Sequence, residues 1–173
     1  REEKVEEADG VLANYSHDGG RISVIVDAST AVVNDEIREA IRNIAMQVAA
    51  LSAEYVDVAD VSEEKKAHEK EILMANIIKE NEELPEEKRK PQQILEKQLI
   101  GRLNKELKEI CLNDQIYVKA EDGKQTVAQY LAEVGKKNGT EIKIRKFVRW
   151  EVGEGMEHRQ ENFAEEVMKQ AQG

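Results

Sequence analysis

Both prolines of the chain, Pro85 and Pro91, stand in one short stretch, ELPEEKRKP, between two densely charged segments of helical pattern. A proline inside a helix removes a hydrogen bond and clashes with the preceding turn, and the residue before it is pushed out of helical geometry. The pair therefore divides residues 62–110 into two helices, 62–81 and 92–110, that must run back along each other. Ile72, Ala75 and Ile78 are the expected inward residues of the first helix, and Ile100, Leu103, Leu107 and Ile110 those of the second. Such a stripe is narrow, as in a coiled coil rather than a core helix. The hairpin is expected to project from a body formed by the sequence on either side of it.

That body begins with two β-rich runs, residues 11–15 and 21–27, separated by the five-residue loop Ser16-His17-Asp18-Gly19-Gly20, whose glycines suit a hairpin turn. In the second run Ile22, Val24 and Val26 alternate with Ser23, Ile25 and Asp27, which gives one apolar face. From Asn34 the period changes: Ile37, Ile41, Ile44, Val48 and Leu51 lie on one helical stripe, with Asn34 as N-cap and Asp35 and Glu36 at the positive end of the dipole. After the hairpin come a short extended run (115–118), a helix capped by Thr126, and a turn at Asn138-Gly139. A long strand over 142–152 follows, then a last helix capped by Asn162 with Glu165 at capping-box spacing. The order predicts an α+β fold, a small antiparallel-type sheet covered by helices on one face. Its expected divisions are an acidic leader (1–10), the first part of the body (11–61), the hairpin (62–110), the second part of the body (111–160) and the C-terminal helix (161–173).

Composition narrows the function classes. The 173 residues carry 26 Lys and Arg against 36 Asp and Glu, a net charge of −10, which disfavours a bulk nucleic-acid binder. Aromatic residues are only 4 %, so a large aromatic-lined pocket is not expected. The single cysteine, Cys111, cannot form an internal disulfide and points to a reducing compartment, the cytoplasm. His17, His68 and His158 have no metal-ligand spacing with Cys111, and no nucleophile or paired-carboxylate signature stands out, so no catalytic residue, metal or cofactor is expected. Gly153-Glu154-Gly155 is flanked by Glu151 and Glu157, which would repel an anion, and reads as a turn. Residues 142–150, IKIRKFVRW, interleave cations with Phe147 and Trp150 and could form a stacking platform for single-stranded nucleic acid. Alternation favours a plain strand instead, with Ile142, Ile144, Val148 and Trp150 on the core face and Lys143, Arg145 and Arg149 in water. A structural role, dimerisation through the hairpin, is a further alternative.

Several segments together resemble the translation elongation factor Ts family of guanine-nucleotide exchange factors. They are YSHDGGRISVIV (15–26), RNIAMQVAA (42–50), GRLNKELKEICLNDQIYVK (101–119), TVAQYL (126–131) and IKIRKFVRWEVGEGMEHRQENFAEEV (142–167). The resemblance runs in order from about residue 11 onward and implies a core subdomain interrupted by a protruding coiled coil. It implies elongation factor Tu as partner, mainly through that protein's third domain, and no cofactor. The contact residues it implies are His17 with Gly19 and Gly20, the segment Gln115, Tyr117 and Val118 (where the family has Gln-Pro-Phe-Val), and Phe163 of the C-terminal helix. One departure bears on mechanism. The family's Thr-Asp-Phe-Val motif, carried by an N-terminal part expected to be missing here, loosens nucleotide in the GTPase. This chain reads DASTAVVNDE at the equivalent place, with Ala31 and Val32 where Asp and Phe would stand.

Overall fold

The computed structural model describes residues 9–154. Strands β1 (Gly10–His17), β2 (Ile22–Thr30) and β3 (Ile142–Glu151) form one antiparallel sheet in the order β1-β2-β3. Between β2 and β3 lie helices α1 (Asp35–Leu51), α2 (Glu63–Glu82), α3 (Gln92–Ile110) and α4 (Val127–Lys137). The class is α+β, as the alternation and helical periods require.

The local signals act through identifiable bonds. Asn34 starts α1 by accepting from the Ile37 amide at 2.9 Å. Thr126 and Gln129 close a reciprocal capping box on α4, at 3.2 and 2.9 Å. At the other end of α4, a Cβ on Gly135 would stand 2.6 Å from the Thr140 carbonyl oxygen, so only glycine lets the 138–140 turn fold back onto the helix.

One face of the sheet carries Val11, Val24, Val26 and Ala28, and it is covered by Ile37, Ile41, Ile44 and Val48 of α1 and by Val127, Leu131 and Val134 of α4. Burying an isoleucine fully stabilises by roughly 1.5–3 kcal/mol, so this stripe dominates the body's stability. Leu51, expected on the same stripe, is 46 % exposed, because the last turn of α1 runs past the sheet to a left-handed Ser52 (φ 50°).

Two other expectations are corrected and one is made more specific. The β1–β2 loop is shorter than expected: Ser16 and His17 continue the ladder opposite Ser23 and Ile22, leaving Asp18–Gly20 as the turn. Its residues take φ values of 52°, 66° and 93°, which glycine adopts freely at two of the three positions. The short extended run at 115–118 joins no strand of the sheet; it follows a 3-10 turn at Leu112–Asp114, and Ile116 makes one isolated bridge to Thr126.

The other correction is in β3. The register slips between Asp27, paired with Lys146, and Ala28, paired with Ile144, so Arg145 is a bulged residue without a cross-strand partner. An extra residue inverts the alternation beyond it. Phe147, opposite Val26, therefore packs on the main core, while Val148 and Trp150 pair with Ile25 and Ser23 on the other face. Arg145 donates to Asp27 Oδ1 from Nη2 at 2.8 Å, which neutralises a carboxylate only 8 % exposed.

Helices α2 and α3 pack through their own small cluster of Leu73, Ile77, Leu95 and Leu99, with Met74 and Leu103 at its margin. The expected inward residues Ile72, Ile78 and Ile100 are instead 44, 38 and 60 % exposed. The i,i+4 pairs Leu73–Ile77 and Leu95–Leu99 face each other and win over the 3-residue spacing of Ile72, Ala75 and Ile78. A third cluster, Val61, Leu107 and Cys111, lies at the hairpin's root. The hairpin tip is closed by Asn81, which accepts from the Lys90 amide at 2.8 Å and donates to its carbonyl at 3.1 Å.

Candidate partner-binding surface

His17 is the last residue of β1 and is exposed, with its ring stacked on Tyr15 at 6.2 Å between centroids. Nδ1 lies 3.3 Å from the Tyr15 hydroxyl. A Cβ on Gly19 or Gly20 would meet no atom within 4 Å beyond its chain neighbours, so the space around both α-carbons is open.

The segment 115–118 divides into interior and surface. Gln115 and Tyr117 are each 5 % exposed, whereas Ile116 and Val118 are 45 and 43 % exposed. The Tyr117 ring stacks on Tyr130 at 4.0 Å, and burial, helped by its hydrogen bond to Tyr130, raises its pKa. The backbone of the segment is bonded to the 125–127 turn, Tyr117 N–H donating to the Gln125 carbonyl and Val127 N–H to that of Gln115, both at 2.9 Å.

An open cleft of about 500 Å³ brings the two regions together. It is lined by Tyr15, on which His17 stacks, and by Lys119, next to Val118, with Arg38, Arg42, Asn43 and Met46 of α1 between them. Asn43 fixes this geometry: its Oδ1 accepts from Lys119 Nζ at 2.7 Å, and its Nδ2 donates to the Tyr130 hydroxyl at 3.4 Å. Tyr15 and Lys119, each beside one of these regions, thus line one depression, which His17 and Val118 border without lining it. Phe163 and the capped C-terminal helix lie outside the described residues.

The other candidates take quieter places. Cys111 is fully buried, and burial, reinforced by the Asp114, Asp57, Asp60 and Glu54 carboxylates, pushes its thiol up to about 11. It is therefore protonated at neutral pH and a poor nucleophile. On the basic strand, Arg145 is held by Asp27 and Arg149 by Glu151 at 3.1 Å, so both guanidinium charges are already paired. Among the described residues, no group of three or more His, Cys, Asp and Glu could hold a metal ion, and no helix is long and apolar enough to cross a membrane.

Sequence reasoning missed Gln47, which lies in the apolar stripe of α1 and is fully buried. Its Nε2 donates to the Ile116 carbonyl at 3.0 Å and to Gln115 Oε1 at 3.3 Å, and its Oε1 accepts from the Val118 amide at 2.8 Å. The available signal was an amide at a position flanked by Ile44 and Val48, where an apolar residue is the rule.

Residues 1–154 match the family model described as Elongation factor TS. The chain is 44 % identical over 170 residues to elongation factor Ts of Acetivibrio thermocellus, covering 96 % of this chain and 74 % of that protein. The chain belongs to the elongation factor Ts family. Elongation factor Ts of Clostridioides difficile is 45 % identical over 161 residues, 93 % of this chain and 50 % of that protein. For the Desulforamulus reducens protein the identity is 41 % over 167 residues, with 94 % and 72 % coverage. The chain thus spans half to three quarters of the length of these elongation factor Ts relatives. The resemblance drawn from the segments 15–26, 42–50, 101–119, 126–131 and 142–167 and the family match agree, and translation elongation is the process the family serves.

Proposed function

We propose that this chain is the partner-docking part of a guanine-nucleotide exchange factor of translation elongation and binds elongation factor Tu, mainly at its third domain. The observation that carries the reading is the cleft lined by Tyr15, on which His17 stacks, and by Lys119, the residue after Val118. Residues beside the two segments that family resemblance nominates as contacts line it together, although 97 residues of sequence lie between His17 and Gln115. In this reading His17, Gly19, Gly20 and Val118 touch the partner. Gln115 and Tyr117, being buried, support the contact from behind, and Phe163 adds a weaker contact to the nucleotide domain.

Docking alone does not drive exchange. A factor releases nucleotide only if it binds the nucleotide-free GTPase better than the loaded form, and nucleotide must weaken the factor by the same ratio. With Ala31 and Val32 in place of an intruding Asp-Phe pair, this chain has no side chain at that position to create the difference. Stopped-flow release of a fluorescent GDP analogue from elongation factor Tu, at saturating chain, tests both halves. Binding with a release rate within about twofold of the intrinsic one is expected. An increase of about tenfold or more would place exchange in this chain and overturn the division of labour.

A further inference from the structure

Gln47 is a buried amide in the middle of an apolar helix face, and each of its polar bonds ends on the same four-residue segment. A buried amide is costly unless bonded, and a methionine would fill nearly the same volume with none of these bonds. What the amide adds is therefore the path of the backbone it holds. The orientation of the group is fixed by its partners, because the Val118 N–H can only meet Oε1 and the Ile116 carbonyl can only meet Nε2. The segment it holds has a side-chain order that needs holding: Ile116 and Val118 project outward while Tyr117 points in. Left to the hydrophobic effect alone, two exposed aliphatic side chains would be drawn to cover themselves. Gln115 anchors the other end, donating from Nε2 to the Glu109 carbonyl at 2.7 Å and to that of Leu51 at 3.4 Å, the last turns of α3 and α1.

We propose that Gln47 is a positioning residue for partner docking: acting with Gln115, it locks the 116–118 loop in the one shape that presents Ile116 and Val118 outward beside the Lys119 edge of the cleft. The inference rests on the docking reading above. A loop that is only fractionally in the competent shape weakens apparent affinity by that fraction, so the affinity of a Gln47 variant should follow the opening of its loop.

The test is Gln47→Met in the full chain, read two ways. Amide hydrogen exchange at Val118 gives the loop-opening constant, with the α1 amides of Ile41 and Ile44 as the control for global stability. Calorimetric titration with elongation factor Tu gives the dissociation constant. The expected result is lost protection at Val118, retained protection in α1, and a dissociation constant raised roughly fivefold or more, by one plus the measured opening constant. Unchanged protection at Val118, or lost protection with unchanged affinity, overturns the positioning role while leaving the docking reading intact. A wild-type chain that does not bind elongation factor Tu overturns the docking reading and this role with it, whatever Val118 exchange shows. If Gln47→Met does not fold, Gln47→Glu serves in its place. A protonated carboxyl can donate to the Ile116 carbonyl and accept from Val118, and a carboxylate cannot donate, so its affinity relative to wild type should fall as pH rises. A flat ratio from pH 5.5 to 8.5 would count against the role.

Discussion

Replacing Ile77 by alanine should unfold the hairpin and spare the body. Ile77 is 1 % exposed and lies in a cluster with only three other buried residues, Leu73, Leu95 and Leu99, none of which belongs to the main core. Removing a buried isoleucine down to alanine costs about 2–5 kcal/mol, the lost transfer energy plus the cavity left behind. A cluster of four cannot absorb that loss by repacking, so α2 and α3 should open locally. Native-state hydrogen exchange is the assay, because it resolves sub-global opening. Amides in the centre of α2 and α3 should exchange faster by roughly 30-fold to several thousandfold, the equivalent of that energy, while those around Ile41 and Ile44 in α1 keep their wild-type rates. Ile44→Ala is the control. Ile44 is fully buried in the main core, so its truncation should accelerate exchange throughout the body. Uniform acceleration in Ile77→Ala, extending to α1 and β2, would show that hairpin and body unfold as one unit and refute the separation of their cores.

Two further outcomes are expected. His17→Ala should leave stability within about 0.5 kcal/mol, since an exposed ring loses only a stack and one surface hydrogen bond, yet weaken binding to elongation factor Tu about five- to thirtyfold; a thermal melt and a calorimetric titration measure the two, and unchanged affinity removes His17 from the surface. Stability should also fall at alkaline pH through Cys111. Its folded thiol is raised from 9.0 to about 11, so its contribution is complete below pH 9 and lost as pH climbs toward 11, by about 2–3 kcal/mol; urea melts at pH 8 and 10.5 should show a smaller drop in Cys111→Ala, and equal drops would contradict the shift.

What the sequence made legible were features governed by neighbours in the chain. Asn34 and Thr126 cap because a short polar side chain reaches an amide three residues on, and the α1 stripe through Ile37, Ile41, Ile44 and Val48 needs only the helical period. What it hid depended on partners far away. In α2, apolar residues at 72, 73, 74, 77 and 78 cover more than one face, and only contact with α3 selects Leu73 and Ile77. In β3, the alternation Ile142, Ile144, Val148, Trp150 looks unbroken, yet the bulge at Arg145, paired with Asp27 across the sheet, turns Phe147 toward the main core and Val148 to the sheet's opposite face. The candidate surface was legible only in part for the same reason. Resemblance could point to His17 and to 115–118, but Gln47 and Asn43, which hold that loop, act across the fold on residues more than 65 positions away.

The most direct measurement is a calorimetric titration of the wild-type chain into the isolated third domain of elongation factor Tu, beside the same titration into the whole protein. Binding to both is expected, with the isolated domain retaining most of the affinity. Binding to the whole protein with no heat from the third domain would move the contact elsewhere on the GTPase, and no binding to either would contradict docking as the function of this chain.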